Sequence, residues 1–158
     1  MSRLAHAAVL LVVVAAASSA RASEEEIRPW KKIVLTVDGG SDFGDVEVTV
    51  VMTTGAKPAL RSLAWNVKGK KVTVPPDGLK DPPPLVFESV RVHTERGYDR
   101  SPWLYVVFEV EKRSLPASAT ARWVYFASQD GKLKHRSIKT RDRNNQYQFE
   151  QKPLAGSR

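Results

Sequence analysis

Apolar side chains recur at every second position in run after run along this chain, and a two-residue period is satisfied only by strands that bury one face. Ile33, Leu35 and Val37 share one such face, and Val46, Val48, Val50 and Met52 form the next set. Leu63, Trp65 and Val67 alternate before a Lys68–Gly69–Lys70 turn leading to the partner run Val72 to Val74. The cleanest alternation is Leu104, Val106, Phe108 and Val110, with Glu109 and Glu111 on the opposite side. No stretch carries the 3.6-residue period of an amphipathic helix.

Turn chemistry separates these runs. Asp38 to Gly44 reads as a hairpin loop, as do Arg96 to Pro102, Asp130 with Gly131, and Asn144 with Asn145. Pro75 to Pro84 holds five prolines, which lack donors and fix φ, so it reads as a surface connection. Beyond it Val86, Val90 and Val92 fall on one face and Leu85 and Phe87 on the other. Trp123 to Ala127, Lys132 to Thr140 and a short run with Tyr147 and Phe149 complete the set. The sum is about eight or nine strands with short connections, the pattern of an antiparallel β-sandwich, with a small up-and-down barrel as the alternative.

The N-terminus has a different character. Arg3 precedes an unbroken apolar run from Ala7 to Ala17, and Ser18 to Ala22 follow with an Ala20-x-Ala22 pattern. Charge, apolar run and small residues in that order form a secretory signal peptide, with cleavage before Ser23. The run is about half the ~20 apolar residues a membrane-spanning helix needs. The expected organisation is a leader over 1–22, one β-rich domain over 23–150 and a frayed tail over 151–158, exported to the periplasm or the extracellular space. The 158 residues include no cysteine, so disulfide scaffolds, thiolate metal sites and thiol chemistry are excluded.

Motifs of catalysis are absent: there is no G-x-S-x-G, P-loop, G-x-G-x-x-G or H-E-x-x-H. His93 and His135 stand apart without metal spacing, Glu109 and Glu111 read as a solvated strand face, and the Asp38 to Asp45 loop does not fit a calcium-binding spacing. No catalytic residue, metal or cofactor is expected.

Charge carries more information. Without the two leader arginines the chain has 23 basic and 17 acidic side chains, and Arg113 to Arg143 alone holds eight basic against two acidic. Lys132, Lys134 and Arg136 alternate on one face of a strand, and Lys139, Arg141 and Arg143 follow on the other parity. A register change near Ile138 would unite them beside Trp123, Tyr125, Tyr147 and Phe149. Charge for attraction and rings for stacking describe a contact surface for an anionic partner: an envelope polymer, lipid head groups or an acidic protein, with nucleic acid the poorest fit. Trp103 and Tyr105, opposite the Leu104 face, form a second candidate surface of aromatic type. The reading is a non-enzymatic binding or envelope-associated module, against a barrel carrier of a small apolar ligand or an inhibitor of a secreted enzyme.

Overall fold

The structure, a computed structural model, describes residues 9–12, 30–80 and 83–154. They form two antiparallel sheets stacked as a sandwich. The first contains β2 (Trp30–Asp38), β3 (Asp45–Thr53), β4 (Leu60–Val67) and β5 (Lys70–Thr73) in sequential order. The second contains β6 (Leu85–Arg96), β7 (Pro102–Val110), β8 (Ala119–Gln129), β9 (Lys132–Asp142) and β10 (Tyr147–Pro153), also in sequential order. A short β1 (Val9–Val12) pairs along the outer edge of β2, with Val9 opposite Leu35 and Val12 opposite Lys32. It belongs to the expected leader, whose cleavage residues Ala20, Ala22 and Ser23 lie outside the described residues.

The nine strands beyond β1 match the expected sandwich, and the sequential order is that of a meander. Among the described residues no ladder joins one sheet to the other. The architecture is thus an up-and-down barrel opened into two layers, with side chains filling the space between. Val46, Val48 and Val50 of β3 are fully buried opposite Leu104, Val106 and Phe108 of β7 and Val124 and Phe126 of β8. Each buried valine contributes about 1.5–3 kcal/mol by leaving water. Trp65 is the largest buried side chain, and its indole N–H donates to Ser128 Oγ at 3.2 Å. Ser128 in turn donates to the Leu104 carbonyl, so one short chain of bonds ties β4 to β8 and β7.

The hairpin ends obey their local chemistry. Lys68 and Gly69, and likewise Asp130 and Gly131, both take positive φ, the conformation of a two-residue turn that matches strand twist. In the DGGSDFGD loop two acids have partners: Asp38 accepts the Gly40 N–H at 2.8 Å, and Asp42 pairs with Arg96 of β6 at 2.8 Å. Among the described residues no helix is long and apolar enough to cross a membrane.

Three expectations need correction. β10 continues to Pro153 and Leu154 is buried beside Gly78, so residues 151–154, expected to fray, are held in the sheet and the core. The face Val86–Val90–Val92 is not one face: the β6–β7 register shifts between Val86 and Arg91, leaving Val86 opposite Glu109 but Val92 opposite the core residue Val106. Arg136 is not on the surface. It is 7% exposed, and its guanidinium donates to the carbonyls of Gly78 and Lys80, both at 2.9 Å.

That last contact holds the proline-rich connection, which turns through a 3-10 segment at Pro76–Leu79, against the second sheet. Arg136→Met fills the space but strips donors from two carbonyls. The expected loss is about 2 kcal/mol, read as a shift in urea midpoint, whereas Lys132→Ala at the exposed strand end should change stability by less than about 0.5 kcal/mol.

Candidate functional site

The outward face of the second sheet concentrates the chain's chemistry, and two β-bulges put it there. On β6 the residues before the shift, Leu85 and Phe87, are buried in the core. Strict alternation would send Arg91, His93 and Glu95 to the same side. Instead the irregularity at Val86 to Arg91 inverts the parity, so His93 stands opposite Tyr105 and Glu95 opposite Trp103 on the outer face. Ser89 closes the gap in the ladder. Its hydroxyl donates to the Val86 carbonyl at 2.6 Å and accepts the Glu109 N–H at 2.7 Å, replacing a missing strand partner. Bulges of this kind re-aim side chains next to functional sites.

The second bulge is at Lys134. Ser128 pairs with Leu133 and Ala127 with His135, leaving Lys134 as the extra residue. Leu133 therefore packs against the core while His135, of the same sequence parity, faces outward. This shift, not one at Ile138, sets the distribution of the basic residues, because Ile138 pairs with Val124 in unbroken register.

Large and small residues alternate across the outer face. One row runs His93, Tyr105, Ala127, His135; the next runs Arg91, Val107, Tyr125, Ser137, Gln151. Ala127 and Val107 are fully buried although they point away from the core, since their larger neighbours in these rows cover them. Where Ser137 is small, the face dips into a concavity of about 420 Å³.

Its rings touch one another. Trp103 and Tyr105 stack at 6.2 Å between centroids, Trp103 meets His135 at 5.8 Å, and Tyr105 meets Tyr125 edge-on at 6.0 Å. Tyr105 donates its hydroxyl to Glu95 at 2.7 Å, and His93 Nε2 lies 3.5 Å from the same carboxylate. Burial, reinforced by the Glu95 bond and charge, raises the Tyr105 phenol far above its ordinary value, and burial also raises Tyr125. Burial lowers His135. At neutral pH both phenols thus keep their protons and His135 is uncharged, a set suited to hydrogen bonding rather than to nucleophilic attack.

The basic residues divide. Lys139 and Arg141 lie on this face: Lys139 Nζ sits 4.4 Å from the Tyr147 ring and 5.4 Å from Phe149, and Arg141 lies 5.8 Å from Trp123. Arg136 points to the interior, Lys134 occupies the bulge, Lys132 is at the far end beside the hairpin turn, and Arg143 is exposed in the last turn. Trp103 and Tyr105, read from the sequence as a separate surface, share the outward face of this sheet with Lys139 and Arg141, and Tyr105 lines the same concavity as Lys139. The residues missed by sequence reasoning are His93, Glu95 and His135. The available signal was Ser89, a hydroxyl interrupting an apolar strand.

The other carboxylates have their own cations. Glu109 pairs with Arg91 at 3.6 Å and Glu111 with Arg113 at 2.6 Å, and no group of three or more potential metal ligands occurs among the described residues. Compared with known families, curated proteins and solved structures, the chain matches none.

Two measurements test this geometry. Ser89→Ala removes both bridging bonds and should cost about 1 kcal/mol, with a weakened near-ultraviolet circular dichroism signal from the ring cluster. Because the folded pKa of His135 lies below its unfolded value near 6.5, the unfolded chain takes up the proton first. Stability should hold above about pH 7 and fall as the pH drops through about 6.5 toward the lower folded value. The depressed carboxyls of Asp77, Glu88 and Asp99 act only below their ordinary values of 3.8 to 4.5. Urea titrations at pH 7.5 and 5.5 should show a smaller difference in His135→Gln than in the wild type.

Proposed function

We propose that the protein is an exported binding module and that the outward face of β6–β10 is its contact surface for an anionic polymer. The observation that carries this reading is the union of the two candidate surfaces: Lys139 and Arg141 stand over aromatic rings on the sheet that also presents Trp103, Tyr105 and Tyr125. Rings on a folded surface are normally covered. Here Phe149 is 67% and Tyr147 48% exposed on the edge strand β10, an apolar area that favours a partner.

Edge protection explains Lys132, Lys134 and Arg143 well, since cations on an edge hairpin discourage strand addition. It does not explain cations stacked on outward-facing rings. Trp65, Phe108 and Phe126 fill the middle of the space between the sheets, which weighs against a ligand enclosed there; a carrier would instead use the apolar hollow of about 640 Å³ at one end, lined by Leu60, Leu79, Leu85 and Phe87. The protonated phenols of this face suit hydrogen bonding to a bound partner.

The test is binding of the mature protein to polyphosphate, acidic polysaccharide, poly-glutamate and anionic vesicles at low and high salt. Binding to at least one should fall steeply with salt as screening shortens the Debye length. Lys139→Glu with Arg141→Glu should weaken it about tenfold or more, about 1.4 kcal/mol, while Lys132→Glu with Lys134→Glu should leave it within about twofold. Equal losses in both pairs would reduce the cluster to bulk charge.

A further inference from the structure

Resting on that reading, we propose that the polymer is an acidic polysaccharide, and that the concavity over Ser137 is a subsite for one hexuronate unit. At about 420 Å³, the hollow falls within the range of small-molecule sites, ~300–1,000 Å³.

The chemistry lining it is mixed in a particular way. Tyr125 and Phe149 offer aromatic faces, Ser137 and Gln151 offer neutral donors and acceptors, Glu95 offers a carboxylate, and Lys139 offers one cation. A polyphosphate has no apolar face for the rings and is repelled by Glu95. An acyl chain has no use for a carboxylate at all. A neutral sugar would satisfy the rings and the hydroxyl acceptors but leave Lys139 without a counter-charge from the ligand.

A pyranose carrying a carboxylate satisfies all of them. Its face of C–H groups stacks on an aromatic ring, its hydroxyls donate to Glu95 and to the neutral His135 and exchange bonds with Ser137 and Gln151, and its carboxylate pairs with Lys139. Tyr105 is a positioning residue in this arrangement. Its hydroxyl is committed to Glu95 at 2.7 Å, which orients the carboxylate and leaves the remaining oxygen capacity for a sugar hydroxyl. Arg141 beside Trp123, further along β9, repeats the pairing of cation and ring for a neighbouring unit of the polymer.

The experiment is calorimetric titration of the mature protein at physiological salt with three probes: short uronate oligomers (galacturonate, glucuronate and mannuronate), their methyl esters, and inorganic polyphosphate of matched charge. Each is repeated with Glu95→Gln, Tyr105→Phe and Lys139→Gln, with circular dichroism and thermal melts confirming the fold of each variant. At least one uronate series should bind about tenfold tighter than polyphosphate, and its methyl ester about tenfold weaker than the acid, as loss of one charged hydrogen bond implies.

Glu95→Gln supplies the discriminating result. It should weaken uronate binding roughly fivefold or more by removing a charged acceptor, yet leave polyphosphate unchanged or tighter by removing a repulsion. Lys139→Gln should weaken the acid but not its ester. Polyphosphate binding as tight as every uronate, with Glu95→Gln helping all anions alike, overturns the sugar assignment and leaves the anionic surface standing. Absence of binding to every anion, even at low salt, overturns both.

Discussion

One buried cation governs how the two layers meet. The chain passes from first sheet to second through a connection with five prolines, a segment poor in backbone donors and therefore poor at fastening itself to a sheet. Arg136 supplies the missing donors from the other side, reaching two carbonyls of the crossing from β9. Gly78 makes the approach possible, since a Cβ there would lie 2.7 Å from a Val74 methyl and 3.2 Å from Leu154. The crossing, the end of β5 and Leu154, just after β10, thus meet at one point. A meander of this order could equally close into a barrel; a non-pairing crossing pinned to the sheet keeps the layers stacked.

The outward face depends in turn on where the alternation fails. A sheet that obeyed parity everywhere would send His93 and Glu95 toward the side of Leu85 and Phe87, and would put His135 on the side of Leu133. The irregularities at Ser89 and Lys134 separate these pairs. Small residues then matter as much as large ones: Ser137 leaves the hollow that Tyr105, Tyr125 and His135 surround. Burial on a face that is nominally solvent-exposed raises the phenols and lowers His135, which sets the protonation of the surface near neutrality.

Much of the fold was legible because one-sided burial imposes a period that a sequence cannot hide. The β3 valines and the β7 series Leu104, Val106, Phe108 and Val110 are core residues as their alternation implies, and Asp130–Gly131 is a hairpin as its φ preferences imply. The site was legible only in halves. Lys139 and Arg141 could be read as basic and Trp103 and Tyr105 as outward, but that they share one face arises from pairing between β7, β8 and β9. Arg136 was misread because a cation at an alternating strand position looks solvated, and its carbonyl partners lie 56 and 58 residues away. The bulges escaped because each is a two-against-one pairing, a property of two strands together.

The Trp103–Val110 alternation has a consequence of its own. Core and outward face are interleaved in a single stretch, even positions serving one and odd positions the other, so β7 behaves like a reading frame. Point changes can alter either message alone. A single inserted or deleted residue is a frameshift, turning Trp103 and Tyr105 inward and Leu104 and Val106 outward until a compensating bulge restores the phase. Sequence drift in such a protein is therefore expected to proceed by substitution within strands and by length change in turns, with paired bulges as the only indels the strands can absorb.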